Sequence, residues 1–477
     1  MSATPPDIGE IDLEELAEWL VERRWFGSKT RELTQVGVID MPLLDPGPPQ
    51  LRIALVEVTF GTGAHEIYQV PVAIYSGEEA SAGARREDDL VQTQARIASL
   101  GEGAVAYDLL AERRDPPRLL QLIAAGGQAA SAEGRVVFAW ADDAPPAPAH
   151  PAEVRPVSSE QSNSSVIFGE SAILKVYRRV EAGVNPELEM LRFLNLRGFR
   201  QIPRLLGWYE YEGRPADATL GVVQEFIDDG RDGWVWTLDG LAGDPESLLD
   251  PLRALGTTVG EMHTALASDP TDPVFAPEER GTESLALYVA SLDEQIERVF
   301  LDLPDDERLG PILHRGEELR DQLRGLARIG GIGMAIRVHA DLHLGQTLLS
   351  DRGWTILDFE GEPARPLPER RAKNSPLRDV AGLLRSLAYA PLAARLQRSA
   401  TPPADWEARA RERFLDGYLD SIDPSLLPAT RREVDQLLAI YELEKAVYEL
   451  NYELNNRPDW VEIPVTGLTR LLEVEVA

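Results

Sequence analysis

The chain has 477 residues, room for about three domains at roughly 150 residues each. With 43% hydrophobic and 27% charged residues it has an ordinary globular composition, and no cysteine excludes disulfides, thiolate metal sites and a cysteine nucleophile. Eighty acidic against 48 basic residues give a net charge of -32, which repels nucleic-acid backbones and anionic membranes. No run of about 18 apolar residues could span a bilayer, and the start lacks the charged-then-apolar pattern of a signal peptide. A cytoplasmic location is expected, with no nucleic-acid or membrane partner.

An amphipathic helix is predicted from Leu13 to Arg24, followed by Trp25-Phe26-Gly27-Ser28-Lys29-Thr30-Arg31. Two strand-like runs, Leu51 to Phe60 and Ile67 to Ile74, flank Gly61-Thr62-Gly63, a hairpin signal. Arg135 to Ala141 reads as another strand. The stretch Asp142 to Pro156 holds five prolines without periodic pattern, so it reads as an extended linker and the clearest boundary. A short hairpin then joins Ser164–Gly169 to Ser171–Tyr177. A helix follows from Pro186 to Arg197, with Asn185 as N-cap and Pro186 at the first helical position. Leu220 to Phe226 is an apolar strand. From Pro245 the chain is mostly helical, apart from an island, Ile336 to Asp358, with two short apolar runs around a polar loop. Strands first and helices after them predict an α+β fold.

That island carries the chemistry. His339-Ala340-Asp341 is followed at five residues by the amide Gln346, then by an apolar strand and Asp358-Phe359. The spacing is that of a kinase catalytic loop, His-x-Asp-x-x-x-x-Asn, and its metal-binding Asp-Phe-Gly. Asp341 would accept or orient the proton of an attacking hydroxyl, while Gln346 and Asp358 would hold Mg²⁺ between phosphates. Alone, each piece reads as a loop-capping aspartate or a structural histidine; the ordered set within a short window points to phosphoryl transfer.

Such a site needs a strand lysine paired to a helix glutamate. Lys175 sits in Ala172-Ile173-Leu174-Lys175-Val176-Tyr177, and the next helix offers Glu187 and Glu189, of which Glu189 is favoured. No Gly-x-Gly-x-x-Gly is present. In its place stands the hydroxyl-rich turn Ser158 to Ser165, where Ser162, Asn163 and Ser164 could cradle phosphate oxygens. Gln224-Glu225-Phe226 ends the next strand where a hinge would meet adenine through backbone groups.

The segments EQSNSSVIFGESAILKVYRRVEAGVNPELE, RVHADLHLGQ, ILDFEGEPARPLPERRAKNSPLRDVAGLLRS and YELEKAVYELNYELNNRPDWVEIPV closely resemble maltokinases. These belong to the aminoglycoside-phosphotransferase branch of the protein-kinase-like fold. The resemblance covers about Glu160 to Leu472 and is thinner in RRWFGSKTR and EIYQVPVA, which look like the maltokinase N-terminal cap. It implies a bilobal fold with a cap at 1–100, an intermediate region with nucleotide-binding N-lobe elements at 101–228, and a helical C-lobe at 229–477. It also implies ATP- and Mg²⁺-dependent phosphorylation of maltose at its anomeric hydroxyl, giving maltose 1-phosphate for α-glucan and glycogen synthesis. A maltose-producing enzyme of the trehalose synthase type is admitted as a partner. Gln346 in place of Asn, and Glu360 in place of the Gly of Asp-Phe-Gly, match the maltokinase version.

The last long helix, about Asp435 to Leu454, has two faces. Leu443, Val447, Leu450 and Leu454 form a core stripe, and Tyr441, Lys445, Tyr448 and Tyr452 repeat on the other side. Aromatic faces suit a sugar's C–H surface, and a lysine with hydroxyls suits its oxygens. The plain alternative packs the tyrosines on a neighbouring helix and pairs Lys445 with Glu449. The resemblance of EKAVYELNYE and NRPDW turns the reading toward an acceptor site of Lys445, Tyr448, Tyr452 and Trp460. Arg378-Asp379 reads as a structural support of the catalytic loop, His343 as a loop-ordering residue and His263 as core packing. A glucosamine or other amino-sugar kinase of the same fold is the rival reading, since Glu444, Glu449 and Glu453 lie on the same helix. A non-catalytic pseudokinase is opposed by the presence of Lys175, Asp341, Gln346 and Asp358 together.

Overall fold

The structure is a computed structural model describing residues 10–77, 95–111, 114–148, 153–157, 162–363 and 365–472. The chain divides into two units, Met1–Arg192 with Pro203–Asp228, and Phe193–Ile202 with Asp229–Ala477. No helix among the described residues is long and apolar enough to cross a membrane.

The first unit opens with the helix Leu13–Glu22, capped by Asp12, whose carboxylate accepts the N–H groups of Glu14 and Glu15. It ends before the predicted Arg24 because Arg23 is extended and closes the last turn. Strands β1 (Leu33–Asp40), β2 (Leu43–Asp45), β3 (Gln50–Phe60), β4 (His65–Tyr75), β5 (Arg96–Leu100) and β6 (Ala104–Asp108) form an antiparallel sheet in the order β1-β3-β4-β6-β5, with β2 on β3. The run Leu51–Phe60 is apolar at nearly every position because both faces of β3 are covered. Leu51, Ile53 and Leu55 point into one core, whereas Ala54, Val56 and Val58 pack with Leu16, Trp19 and Leu20 of the helix. Each fully buried side chain of this size contributes about 1.5–3 kcal/mol.

A second antiparallel sheet contains β7 (Gly127–Ala130), β8 (Gly134–Trp140), β9 (Val154–Val157), β10 (Asn163–Phe168), β11 (Ala172–Tyr177), β13 (Leu205–Gly213) and β14 (Ala218–Glu225), in the order β7-β8-β13-β14-β11-β10-β9. Between β11 and β13, β12 (Arg179–Val180) crosses to pair with β4 of the first sheet. Leu174, Val176, Leu220 and Val223 share the core of Leu51 and Ile53, so the two sheets are one packed unit. The strands expected at Arg135, Leu220 and in the Ser164–Tyr177 hairpin are all present, and Asn185 Oδ1 caps the helix Pro186–Leu196 by accepting the Glu187 N–H at 2.8 Å.

The proline-rich stretch departs from the linker expected there. Ala144 and Ala147 pack on the core of the first unit, and the carbonyls of Pro145 and Pro148 accept from Trp140 Nε1 and Gln121 Nε2. Val154–Val157 is the edge strand β9. Prolines lack an N–H but not a carbonyl, so they can be tied down by side-chain donors along a sheet edge.

The second unit is helical, as the pattern beyond Pro245 predicts. Among its described residues a local hairpin, Thr347–Ser350 with Gly353–Ile356, lies inside the motif-bearing island. The long helix Arg431–Asn456 begins at a capping box of Thr430 and Glu433. The overall architecture is therefore a kinase-like α+β fold with a cap, a mixed N-terminal part and a helical C-terminal part.

Candidate active site

In the second unit the catalytic loop is held from below by one buried carboxylate. Asp379, in the first turn of the helix Leu377–Arg398, accepts the N–H groups of His339 at 2.7 Å and Ala340 at 2.9 Å. Its Oδ2 also meets His263 Nε2 at 3.1 Å, and His263 Nδ1 meets Tyr418 Oη at 3.1 Å. Burial pushes the Asp379 carboxyl up, but the hydrogen bond and charge of His263 and the His339 N–H together hold it below its usual value. These contacts keep Ala340 at a φ of 69°, a left-handed backbone that a non-glycine residue adopts only when its surroundings dictate it. Gly382, one turn along the same helix, admits the loop: a Cβ there would sit 2.4 Å from the Leu342 carbonyl oxygen.

His339 ties the loop to the segment that carries Asp358. Its Nε2–H donates to the Leu357 carbonyl at 2.7 Å, which leaves Nδ1 to accept the Asp341 N–H at 3.4 Å. Asp358 follows directly, with a φ of 61°, and its Oδ2 accepts Gln346 Nε2–H at 3.0 Å. The structure thus brings Gln346 and Asp358 side by side. A carboxylate, an amide oxygen and the Glu360 carboxylate, whose oxygen lies within 4.8 Å of that of Asp358, are the hard oxygen donors that magnesium takes. His343 orders the loop, as expected: its Nδ1 accepts the Gly345 N–H at 3.1 Å, and burial lowers its pKa, keeping the imidazole neutral.

Asp341 is half-buried, with Oδ1 3.9 Å from Lys445 Nζ. Burial raises its pKa, and the charge of Lys445 pulls in the opposite direction. A carboxylate with a raised pKa beside a cavity is a candidate general base.

Beside it lies a cavity of about 570 Å³, lined by Leu342, His343, Lys445, Tyr448, Tyr452 and Trp460 together with residues of the helix Leu377–Arg398. The volume falls in the range of about 300–1,000 Å³ usual for small-molecule sites. Lys445, Tyr448, Tyr452 and Trp460 are all brought together there, whereas Tyr441 is buried against Tyr288 with ring centroids 5.6 Å apart. Tyr448 and Tyr452 stack at 6.4 Å and stay half-exposed. The Lys445–Glu449 pair of the plain alternative is not seen: Glu449 is held by Arg385 at 2.6 Å. Glu453 is likewise held by Arg457 at 2.6 Å, and Glu444 by Arg378 at 2.9 Å. Sequence reasoning missed Gly382, Arg385, Ser386 and Tyr389, although their spacing of three, one and three places them on one helical face.

The first unit holds the nucleotide candidates. Lys175 Nζ pairs at 2.9 Å with Glu187, not with the expected Glu189. Residues two apart on a helix do not face the same side, and Asn185 sets the helix start so that Glu187 is buried while Glu189 is half-buried. Glu187 also accepts from Tyr177 Oη at 2.9 Å and Gln224 Nε2 at 2.8 Å. Gln224 is therefore a support of the lysine pair. The N–H groups of Glu225 and Phe226 are taken by the carbonyls of Arg204 at 2.8 Å and Ser171 at 3.2 Å, so a backbone contact of these two residues with adenine would use their carbonyls. Ser162 lies exposed in a bend, Asn163 opens β10, and Ser164 Oγ accepts from Arg178 Nε at 2.8 Å. Of the proposed phosphate turn, residues 158–161 lie outside the described residues.

Comparison with known proteins matches residues 19–111 to the maltokinase N-terminal cap domain and residues 153–361 to the phosphotransferase enzyme family. A glucosamine kinase of Mycolicibacterium smegmatis is 29% identical over 343 residues, covering 67% of this chain and 79% of that protein. A glucosamine kinase of Streptacidiphilus jiangxiensis is 29% identical over 335 residues, covering 67% and 73%. The solved structure of a glucosamine kinase with glucosamine, ADP and inorganic phosphate superposes with a TM-score of 0.69 at 21% identity, over 98% of this chain and 100% of that one. The chain therefore combines a segment similar to the maltokinase N-terminal cap domain with one similar to the phosphotransferase enzyme family, on a kinase-like fold.

Proposed function

We propose that the protein is an ATP-dependent sugar kinase that phosphorylates maltose at its anomeric hydroxyl. The observation that carries the maltose reading is the charge of the acceptor cavity. Of the carboxylates lining it, Glu449 and Glu453 are each bound by an arginine, Arg385 and Arg457, which line it too. Lys445 also lines the cavity and stands 3.9 Å from Asp341. A protonated amino sugar beside Asp341 would meet a like charge, while a neutral sugar would meet a donor for its oxygens and two tyrosine faces.

In the proposed reaction Asp341 takes the proton of the anomeric hydroxyl as its oxygen attacks the γ-phosphorus. The bond to the β,γ-bridging oxygen breaks and ADP leaves. Lys175, held by Glu187, binds the α- and β-phosphates. Magnesium on Asp358 and Gln346 would supply the charge neutralisation that phosphoryl transfer requires. Most of the rate enhancement then rests on positioning, which the Asp379 contacts to the catalytic loop support.

Glucosamine is the second reading, favoured by the names of the 29% identical relatives; the chemistry at Asp341 would be the same. The deciding experiment is ATP turnover with Mg²⁺ on maltose, glucose, glucosamine and kanamycin, with phosphorus NMR of the product. An anomeric phosphate formed from maltose is the expected result. Turnover on an amino sugar alone would replace the acceptor, and none on any sugar would overturn the kinase reading.

A further inference from the structure

The run Trp25 to Arg31 takes no part in the reaction above, yet it is firmly engaged. Phe26 packs on Tyr68 at 5.1 Å, and Ser28 and Arg31 bind Glu66 at 2.9 and 3.1 Å. Glu66 also meets Arg179 at 3.5 Å. Trp25 lies under the guanidinium of Arg178, 4.7 Å from ring centroid to Cζ. Both arginines immediately follow β11, the strand that carries Lys175.

Arg178 has three kinds of partner. Nη2 donates to Asp108 Oδ2 of the cap sheet at 2.7 Å, and Nε donates to Ser164 Oγ of β10 at 2.8 Å. The third nitrogen, Nη1, is buried with no hydrogen-bond acceptor, and the guanidinium rests on the Trp25 ring. Its side chain is only 2% exposed. A charge buried this deeply is tolerated only with its partners in place. Ser164 pairs with Val176 across the β10–β11 hairpin, next to the register of Ser165 with Lys175.

We propose that Arg178 clamps the cap to the nucleotide hairpin, so that the cap acts as a positioning element for ATP rather than for the sugar. The inference rests on the kinase reading. Trp25 and Asp108 hold the guanidinium from the cap, and Ser164 receives the constraint on the hairpin, beside the lysine strand. Altering the cap end of the clamp should change nucleotide affinity through Ser164 and leave the acceptor cavity untouched.

The test is calorimetric titration of the full chain with ADP and Mg²⁺, and separately with maltose and glucosamine. It uses Asp108→Asn, Ser164→Ala and the double variant. Each single change is expected to weaken ADP binding about tenfold. The double variant should be no weaker than the weaker single one, because both act through one arginine. Sugar affinity should stay within about twofold. Should Asp108→Asn not fold, Trp25→Phe carries the same comparison with a smaller expected loss. Wild-type ADP affinity in the folded variants, independent losses in the double variant, or parallel loss of sugar binding would overturn the clamp. A wild-type chain that binds no ADP would remove the kinase reading, and the inference with it.

Discussion

Lys175 and Lys445 are both largely shielded cations, one in each unit, and they are held in opposite ways. Lys175 sits 2.9 Å from Glu187, whose oxygens are also taken by Tyr177 and Gln224. It is a fixed charge in a finished network. Lys445 stands 3.9 Å from Asp341, while the carboxylates on its own helix are claimed by Arg378, Arg385 and Arg457. Its charge is left to act on whatever approaches Asp341. In the proposed reaction, rigidity suits a group that would grip the same phosphates at every turnover, and a loosely held cation suits one that would balance a carboxylate as it gains a proton.

The strongest way to break this comparison is at the carboxylate itself. Asp341→Asn should lower kcat by about 10³-fold while the melting temperature stays unchanged, because an amide cannot take the proton. Substantial turnover in a folded variant would remove Asp341 from its role.

Asp379→Asn attacks the support beneath it. The two carboxylate oxygens face N–H donors of His339 and Ala340, so an amide would set its own N–H₂ against one of them. A loss of about 3 kcal/mol in denaturant unfolding is expected. The pH dependence adds a sign. The folded pKa of Asp379 is held below its usual value, so its stabilisation is present above the unfolded carboxylate value of about 4 and is lost as the pH falls through the folded value. The variant should therefore lose less stability than wild type on acidification below about pH 4.

Glu187→Gln sharpens the other half. Removing the partner of Lys175 should raise KM for ATP about tenfold with little change in KM for the sugar, whereas Glu189→Gln should leave both nearly unchanged. Equal effects of the two variants would remove the special position of Glu187.

Much of the site was readable because its chemistry is local in sequence. The spacing of His339, Asp341, Gln346 and Asp358 lies within one short island, and the structure folds it on a single hairpin and loop. The helix face of Lys445, Tyr448 and Tyr452 was also readable, because three- and four-residue spacing maps directly onto a surface. Choosing between Glu187 and Glu189 required the phase of the helix, which the Asn185 cap sets. The partners of Glu449 and Glu453 come from a different helix for Arg385 and from beyond the helix end for Arg457, so spacing on one element could not reveal them. The linker reading failed for a related reason: prolines look structureless until the donors that hold their carbonyls, Trp140 and Gln121, are seen.

The finest test concerns how Lys445 acts on Asp341. Burial raises the Asp341 pKa and Lys445 opposes that rise. In the proposed reaction Asp341 accepts a proton only when ionised, so kcat should fall as the pH drops through a value above the ordinary carboxylate range of about 4. Lys445→Met removes the opposing charge, and the Asp341 pKa should climb further. The acid limb of the kcat profile should then move up by about one pH unit, measured at saturating sugar so that weakened acceptor binding does not enter. A lysine that serves only to bind the sugar would raise KM and leave the limb where it was. A limb that moves with the substitution ties the free charge of the acceptor helix to the proton transfer itself.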